Sequence, residues 1–219
     1  MSVVLITGCS SGIGLATALH FARLGAEVHA GVRTMATAAD LVAAIETDKL
    51  KISPLTLDVD DDASVRRGVQ EVIARSGHID VLVNNAGIGG GGPIEDVPIE
   101  FAKAMFETNY FGAVRMIQAV LPGMRQRRSG AIVNVSSIAG RVAIAGHGHY
   151  SAVKHALEAA SEALAQEALA FGIRVAVVEP GVVVTPIFGK ARRFADPASP
   201  YRVHVRASPR TWRPSFTRP

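Results

Sequence analysis

The sequence predicts an α/β protein, a single doubly wound parallel sheet of about six strands with helices on both faces. Three observations predict it. Six short apolar runs alternate with segments of helical spacing, the first run ends in a glycine-rich turn that opens a helix, and the polar motifs of note follow the ends of apolar runs. A chain of 219 residues with 48% hydrophobic residues can bury one substantial core and is most economically one domain.

Residues 3–6 form the first strand. Thr7-Gly8-Cys9-Ser10-Ser11-Gly12-Ile13-Gly14 follows, and Leu15, Ala18, Leu19 and Ala22 then recur at helical spacing before Gly25, giving a helix near 12–24. Glycines at 8, 12 and 14 let the backbone turn tightly and approach a pyrophosphate, whose charge free N–H groups at the helix start would meet. A mere strand-to-helix connector is the alternative. Cys9 is the lone cysteine, so it has no internal disulfide partner and reads as a small buried filler. Further strands fall at 27–32, 52–57, 81–83, 131–135 and 174–178, and helices near 63–75, 99–126 and 150–171. Asp60, Asp61 and Asp62 would cap and acidify the start of the second helix. Right-handed crossovers make this a Rossmann-like sheet of order 3-2-1-4-5-6, with its ligand crevice at the carboxyl ends of the strands. Gly8, Asn84, Ser137 and Pro180 all follow strand ends, so four scattered motifs converge on one edge.

Tyr150 and Lys154 stand four residues apart on the last long helix, thirteen residues after Ser137. Positions i and i+4 share a helix face, so a phenol and an ammonium can serve one substrate. A tyrosine of pKa about 10 is a poor acid or base at neutral pH unless a neighbouring cation stabilises its phenolate. A core tyrosine one turn from a surface lysine is the bland alternative.

Taken together, Thr7 to Gly14, Asn84-Asn85-Ala86-Gly87, Ser137 and Tyr150-x-x-x-Lys154 resemble the short-chain dehydrogenase/reductase family, whose hallmark motifs occur here in family order. Asn109 in Thr108-Asn109-Tyr110 matches the family's active-site asparagine, and Pro180 to Thr185 matches its P-G segment. The similarity covers roughly residues 3 to 190. It implies that Tyr150 is the general acid or base, that Ser137 (with Ser136 as rival) hydrogen-bonds the reacting oxygen, that Lys154 holds the nicotinamide ribose and depresses the Tyr150 pKa, and that Asn109 anchors a water beside Lys154. It implies cofactor contacts at Gly8, Ser10, Ser11, Gly12, Ile13, Gly14, Arg33, Asp58, Val59, Asn85, Ala86, Gly87, Tyr150, Lys154, Pro180, Gly181, Val183 and Thr185. Asp58 and Val59 would meet the adenine ring, Asp58 being otherwise a capping or turn aspartate, and Thr185 the nicotinamide carboxamide. The wording of the first glycine turn and of Val32-Arg33 resembles hydroxysteroid and retinol dehydrogenase-like members, which implies a bulky apolar carbonyl or secondary alcohol.

The end of the second strand bears on cofactor choice. A carboxylate there would accept hydrogen bonds from an NAD ribose and repel a 2′-phosphate, but Val32 and Arg33 occupy the positions. A guanidinium fork suits phosphate oxygens, so NADP(H) is expected over NAD(H), although Arg33 could also be a solvated surface cation.

No apolar stretch reaches membrane-spanning length and the N-terminal run has no basic n-region, so a cytoplasmic protein is the expectation. His147 and His149 lack a companion cluster of carboxylates or thiols, and no metal site is expected. Residues 1–190 read as the catalytic domain and 191–219 as a basic, Pro- and Arg-rich tail, irregular or disordered. From residue 190 onward eight Lys or Arg face one acid, Asp196, whereas 1–189 hold fifteen against eighteen. The C-terminal part looks truncated or atypical, since the family's further helices and seventh strand have no evident counterpart. Hence a second reading, an NADP(H)-binding protein with little turnover, stands beside the enzyme. Nucleic acid is not an expected partner, because no binding module accompanies the tail. A homodimer is expected, with helices 99–126 and 150–171 packing on their mates through Ala156, Ala159, Ala160, Ala163 and Ala170, and with Leu157 and Leu164 adding apolar surface.

Overall fold

A computed structural model describes residues 1–183, 185, 186, 189, 191–194 and 198–201. In chain order its main elements are β1 (Val3–Ile6), α1 (Gly12–Arg23), β2 (Glu27–Val32), α2 (Ala39–Asp48), β3 (Ile52–Thr56), α3 (Asp62–Ser76), β4 (Val81–Asn84), α4 (Ile99–Phe106), α5 (Gly112–Arg127), β5 (Gly130–Val135), α6 (Gly148–Leu169) and β6 (Ile173–Val178). The six strands form one parallel sheet ordered β3-β2-β1-β4-β5-β6. That is the predicted order.

Strand alternation divides the core into two layers. Val3 and Leu5 face the layer covered by α3, α5 and α6, where they meet Val65, Val69, Met116, Val120 and Leu164. Val4 and Ile6 face the other layer and meet Ala18, Ala22 and Leu41 from α1 and α2. At the edge of the sheet Arg174, Ala176 and Val178 of β6 are exposed.

Two helical regions differ from the sequence reading. Helix α2 was not expected; its apolar signal is thin, Leu41 being its one fully buried residue, and no side chain caps its start. The predicted single helix at 99–126 is divided by a π-helical turn, Glu107–Phe111, between α4 and α5. Local periodicity does not report such a turn, because a single widened turn lies inside a run that is helical on both sides of it. Tertiary contacts pin it. Thr108 Oγ1 donates to Asp60 Oδ2 at 2.9 Å, and Arg115 binds the carboxylates of Asp62 and Glu107 and, at 3.3 Å, the Val59 carbonyl. Of the three aspartates read as a helix start, Asp61 is the cap of α3, its Oδ1 accepting from Ala63 N at 2.8 Å, and Asp62 lies in the first turn. Asp60 faces the π turn instead, and burial raises its carboxyl above the usual range.

Past β6, Arg192–Arg193 pair with Gly90–Gly91 in a two-residue parallel ladder. Phe194 stacks on Phe101 with ring centroids 4.9 Å apart, and the Arg192 guanidinium lies 5.3 and 5.2 Å from those two rings. The expectation of disorder for the tail bears mostly on 202–219, which lie outside the described residues.

Candidate active site

The site is built from the carboxyl ends of β1, β4, β5 and β6. The turn after β1 needs its glycines. Gly8 has φ +72°, and a Cβ there would stand 2.8 Å from Ala86 Cα. At Gly14 a Cβ would land on the Asn85 amide and the Gly8 carbonyl oxygen. Asn85 closes the turn, its Nδ2 donating to the Thr7 and Gly8 carbonyls at 2.9 and 3.2 Å. Thr7 Oγ1 in turn accepts from Asn85 N and Ala86 N at 3.0 and 2.9 Å. The two motifs are thus one clamp, with the Asn85 amide committed to backbone.

Helix α1 begins beside this clamp with Ser11 at its N-cap. No side chain caps it and its first turn holds no acid, so its leading N–H groups and the positive end of its dipole are left for an anion. Ser10, Ile13 and Gly12 complete the loop, and Thr185 lies against it, a Cβ at Gly12 standing 3.3 Å from Thr185 Cβ. These residues fit a dinucleotide phosphate. Arg33, after β2, is exposed and without a hydrogen-bond or ion-pair partner among the described residues. Asp58 turns on itself, its Oδ1 accepting from Asp60 N at 3.1 Å, and Val59 is buried against Gly112. Cys9 is buried with Sγ donating to the Ile6 carbonyl at 3.3 Å, and burial pushes its thiol far up, away from reactivity.

Gly87 leads to the π turn, where Asn109 is 3% exposed. Its amide pairs twice with the Ile88 backbone, accepting from N at 2.8 Å and donating to O at 2.9 Å. After β5, Ser137 begins a short 3₁₀ turn, Ile138–Gly140, accepting from Ala139 N at 3.2 Å, while Ile138 N donates to the Pro180 carbonyl at 3.0 Å. That bond ties the Ser137 turn to the P-G segment, of which Gly181 and Val183 are exposed.

Tyr150 and Lys154 project from α6. Burial raises the Tyr150 phenol above its ordinary pKa, and a hydrogen bond with the Ser137 side chain pulls it partly back. Lys154 is 6% exposed, and burial lowers its ammonium to about 8. Its Nζ donates to the Val135 carbonyl at 2.9 Å and stands 5.8 Å from the centre of the Tyr150 ring. The lysine therefore lies beside the ring, directed at strand β5, and the phenol's upward shift owes nothing to it. Of the two serines, Ser137 is the one whose side chain lowers the phenol. Ser136 Oγ is buried with no hydrogen-bond partner among the described residues.

Several supporting residues escaped the sequence reading. Asn84 Nδ2 donates to Asn134 Oδ1, and Asn134 Nδ2 to Ser161 Oγ, both at 2.8 Å, forming a buried chain from β4 through β5 to α6. An asparagine inside an otherwise apolar strand was the available signal. Arg141, just past the Ser137 turn, reaches Glu179 at 2.9 Å and Glu162 at 3.4 Å.

Among the described residues no helix is long and apolar enough to cross a membrane. The model of the short chain dehydrogenase family matches residues 2–196. Retinol dehydrogenase 8 of Bos taurus is 43% identical over 191 residues, which is 85% of this chain and 61% of that one. The chain thus spans about three fifths of that relative. A short-chain dehydrogenase of known structure from Streptomyces avermitilis is 40% identical and superposes with a TM-score of 0.84 over 93% of this chain and 74% of its own. ElxO with NADP bound superposes at 0.81 with 30% identity, over 86% of this chain and 77% of its own.

Proposed function

The chain belongs to the short-chain dehydrogenase family, and we propose that within it the protein is an NADP(H)-dependent oxidoreductase interconverting a hydrophobic carbonyl compound and its secondary alcohol. One observation carries the reading: a phenol, a buried ammonium one turn along the same helix and the Ser137 side chain that bears on the phenol stand at the strand ends that also carry the glycine turn. NADP(H), when bound, supplies or accepts the hydride. Tyr150 gives its proton to the carbonyl oxygen, or takes one from the alcohol in reverse. Ser137 hydrogen-bonds the same oxygen and fixes its direction. Lys154 leaves the Val135 carbonyl to hold ribose hydroxyls, and its charge then favours the Tyr150 phenolate. Asn109 pins Ile88 and, with it, the chain beside Gly87.

The apolar character of the substrate is supported by the segments flanking Ser137 and Tyr150. Ile94, Ile138, Val142, Val182 and Val183 are all large, exposed hydrophobic residues on these segments, which is what a binding surface for an apolar molecule would present before it is covered. The relatives agree in kind, one being by its name a retinol dehydrogenase.

Arg33 supports NADP(H) over NAD(H), as does the NADP bound to ElxO. The test is fluorescence titration of the purified chain with NADPH and NADH, followed by a panel of ketones and alcohols read by NADPH absorbance. NADPH is expected to bind more tightly, and Arg33→Ala to lose about 1.5–3 kcal/mol of NADPH affinity with little change for NADH. Equal affinities for the two cofactors would overturn the choice; tight binding with no turnover across the panel would leave a binding protein.

A homodimer through α4, α5 and α6 is also proposed. On α6, Ala159 and Ala163 are exposed, but Leu157 and Leu164 are buried beneath their own helix. These leucines are not interface residues, because the side of α6 that bears them covers the sheet. The exposed alanines, with Leu169 and Phe111 near the helix ends, would then set the contact, and light scattering at micromolar concentration is expected to return twice the chain mass.

A further inference from the structure

Helix α6 carries a third polar residue in line with the two already described. Glu158 follows Lys154 by four residues as Lys154 follows Tyr150, so the three stack along one face. Glu158 is 4% exposed, yet neither of its carboxylate oxygens accepts a hydrogen bond among the described residues. The turn that begins at Ser137 seals it in: a Cβ at Gly140 would stand 3.0 Å from Glu158 Oε1 and 2.8 Å from the unpartnered Ser136 Oγ. A buried carboxylate without hydrogen bonds is costly unless an opposite charge compensates it. Two cations are at hand. Arg141 comes to 3.7 Å, the one ion pair of Glu158 among the described residues, but it is half exposed and divides its guanidinium among Glu158, Glu162 and Glu179. Lys154 is buried on the same helix face and makes a single neutral hydrogen bond, to the Val135 carbonyl.

We propose that Glu158 is a positioning residue of the site, the buried counter-charge that keeps Lys154 an ammonium while Tyr150 transfers its proton. Without it Lys154 would be a lone cation in a desolvated cavity and would shed its proton near neutrality, which is where burial alone drives such groups. The direction agrees with the balance at Lys154, where burial lowers the ammonium to about 8 and the Glu158 charge opposes that fall. The other titratable groups around the pair are Tyr150 on the same helix, Tyr110 of the π turn, packed against the same apolar cluster as Tyr150, Arg141 over Glu158, and Glu162 and Glu179, which share Arg141. None of these besides Glu158 is a buried anion.

The inference rests on the preceding reading of Lys154 as a group that works charged, but its test needs neither cofactor nor turnover. The full chain has five lysines. With ¹³C at the lysine ε-carbons, an NMR titration resolves them, and the Lys154 signal is the one lost in Lys154→Met. In Glu158→Gln the Lys154 midpoint is expected to fall by about one pH unit, a tenfold easier loss of the proton. Glu158→Asp, which keeps the charge but withdraws it by one methylene, is expected to fall by less. Arg141→Gln, which removes a competing cation, is expected to leave the midpoint in place or raise it. A Glu158→Gln midpoint within about 0.3 of the unsubstituted protein, or an Arg141→Gln fall as large as that of Glu158→Gln, overturns the proposal. Should Glu158→Gln fail to fold, the other pair decides: Glu158→Asp is expected to lower the midpoint and Arg141→Gln not to lower it, and a fall in Arg141→Gln as large as that in Glu158→Asp overturns the proposal. A midpoint that follows Glu158 in a chain that reduces nothing would support the counter-charge and sink the oxidoreductase reading, so the two fail separately.

Discussion

The turn at the end of β1 and the segment beyond β6 meet where Thr185 lies against Gly12, but are held in different ways. The first is locked by backbone. Thr7, Gly8, Asn85 and Ala86 share five hydrogen bonds of 3.5 Å or less that join or adjoin β1 and β4, counting Thr7 Oγ1 to the Val83 carbonyl, and Gly14 has no room for a methyl group. The second is held, among the described residues, by a two-residue ladder, one aromatic pair, the Arg192 guanidinium and, next to β6, the Ile138 N–Pro180 carbonyl bond and the Arg141–Glu179 ion pair. Around it lie exposed apolar side chains, and Gly181 has open space where a Cβ would go. A dinucleotide is the same in every turnover, and a rigid mould costs nothing in specificity. If, as proposed, the apolar segments meet the substrate, they can change without disturbing the sheet, as binding residues on connections generally do.

This contrast can be broken by substitution. The largest effect should fall at the chemistry that joins the two regions. Tyr150→Phe deletes the transferable proton and little volume, so turnover is expected to drop by about 10²–10⁴-fold with NADPH affinity nearly unchanged. Near-normal turnover in this variant would assign proton transfer to another group. Next comes the rigid mould. Gly14→Ala forces a methyl against the Asn85 amide and the Gly8 carbonyl and is expected to cost about 1–3 kcal/mol in urea unfolding, together with cofactor binding; unchanged unfolding would show that the clamp yields. The smallest effect on stability belongs to the looser region. Phe194→Ala removes one face of a partly exposed aromatic pair, worth about 0.5–1.5 kcal/mol, and is expected to raise the substrate KM while NADPH affinity holds. If it destabilises the chain as much as Gly14→Ala does, the two regions are one cooperative unit and the contrast fails.

How much of this was legible in the chain follows from the range of each interaction. The strands could be read because parallel strands buried on both faces are continuous apolar runs, and Val3 to Ile6 shows this without help from elsewhere. The glycine turn could be read because its backbone demands a residue without a Cβ, a requirement written locally at Gly8 and Gly14. Tyr150 and Lys154 could be paired because helical geometry fixes what lies four residues away. By the same rule Glu158 lay within reach as the next step along that face, but its burial did not. Whether a glutamate on a helix faces solvent or a sealed turn depends on Gly140 and Arg141 arriving from β5.

The amino-acid sequence by itself determined the six strands, the glycine turn and the Tyr150–Lys154 pairing, since each follows from residue type and short-range spacing, while the strand order followed from the handedness rule for parallel crossovers. Tertiary structure alone decided that Asn85 braces the glycine turn, that Asn109 sits on a π turn pinned by Asp60 and Arg115, that Leu157 and Leu164 face inward, and that Lys154 has a buried carboxylate on its own helix face. Each of these rests on groups brought together from distant parts of the chain or on which side of an element the sheet covers. Packing settles both, and no local pattern encodes them.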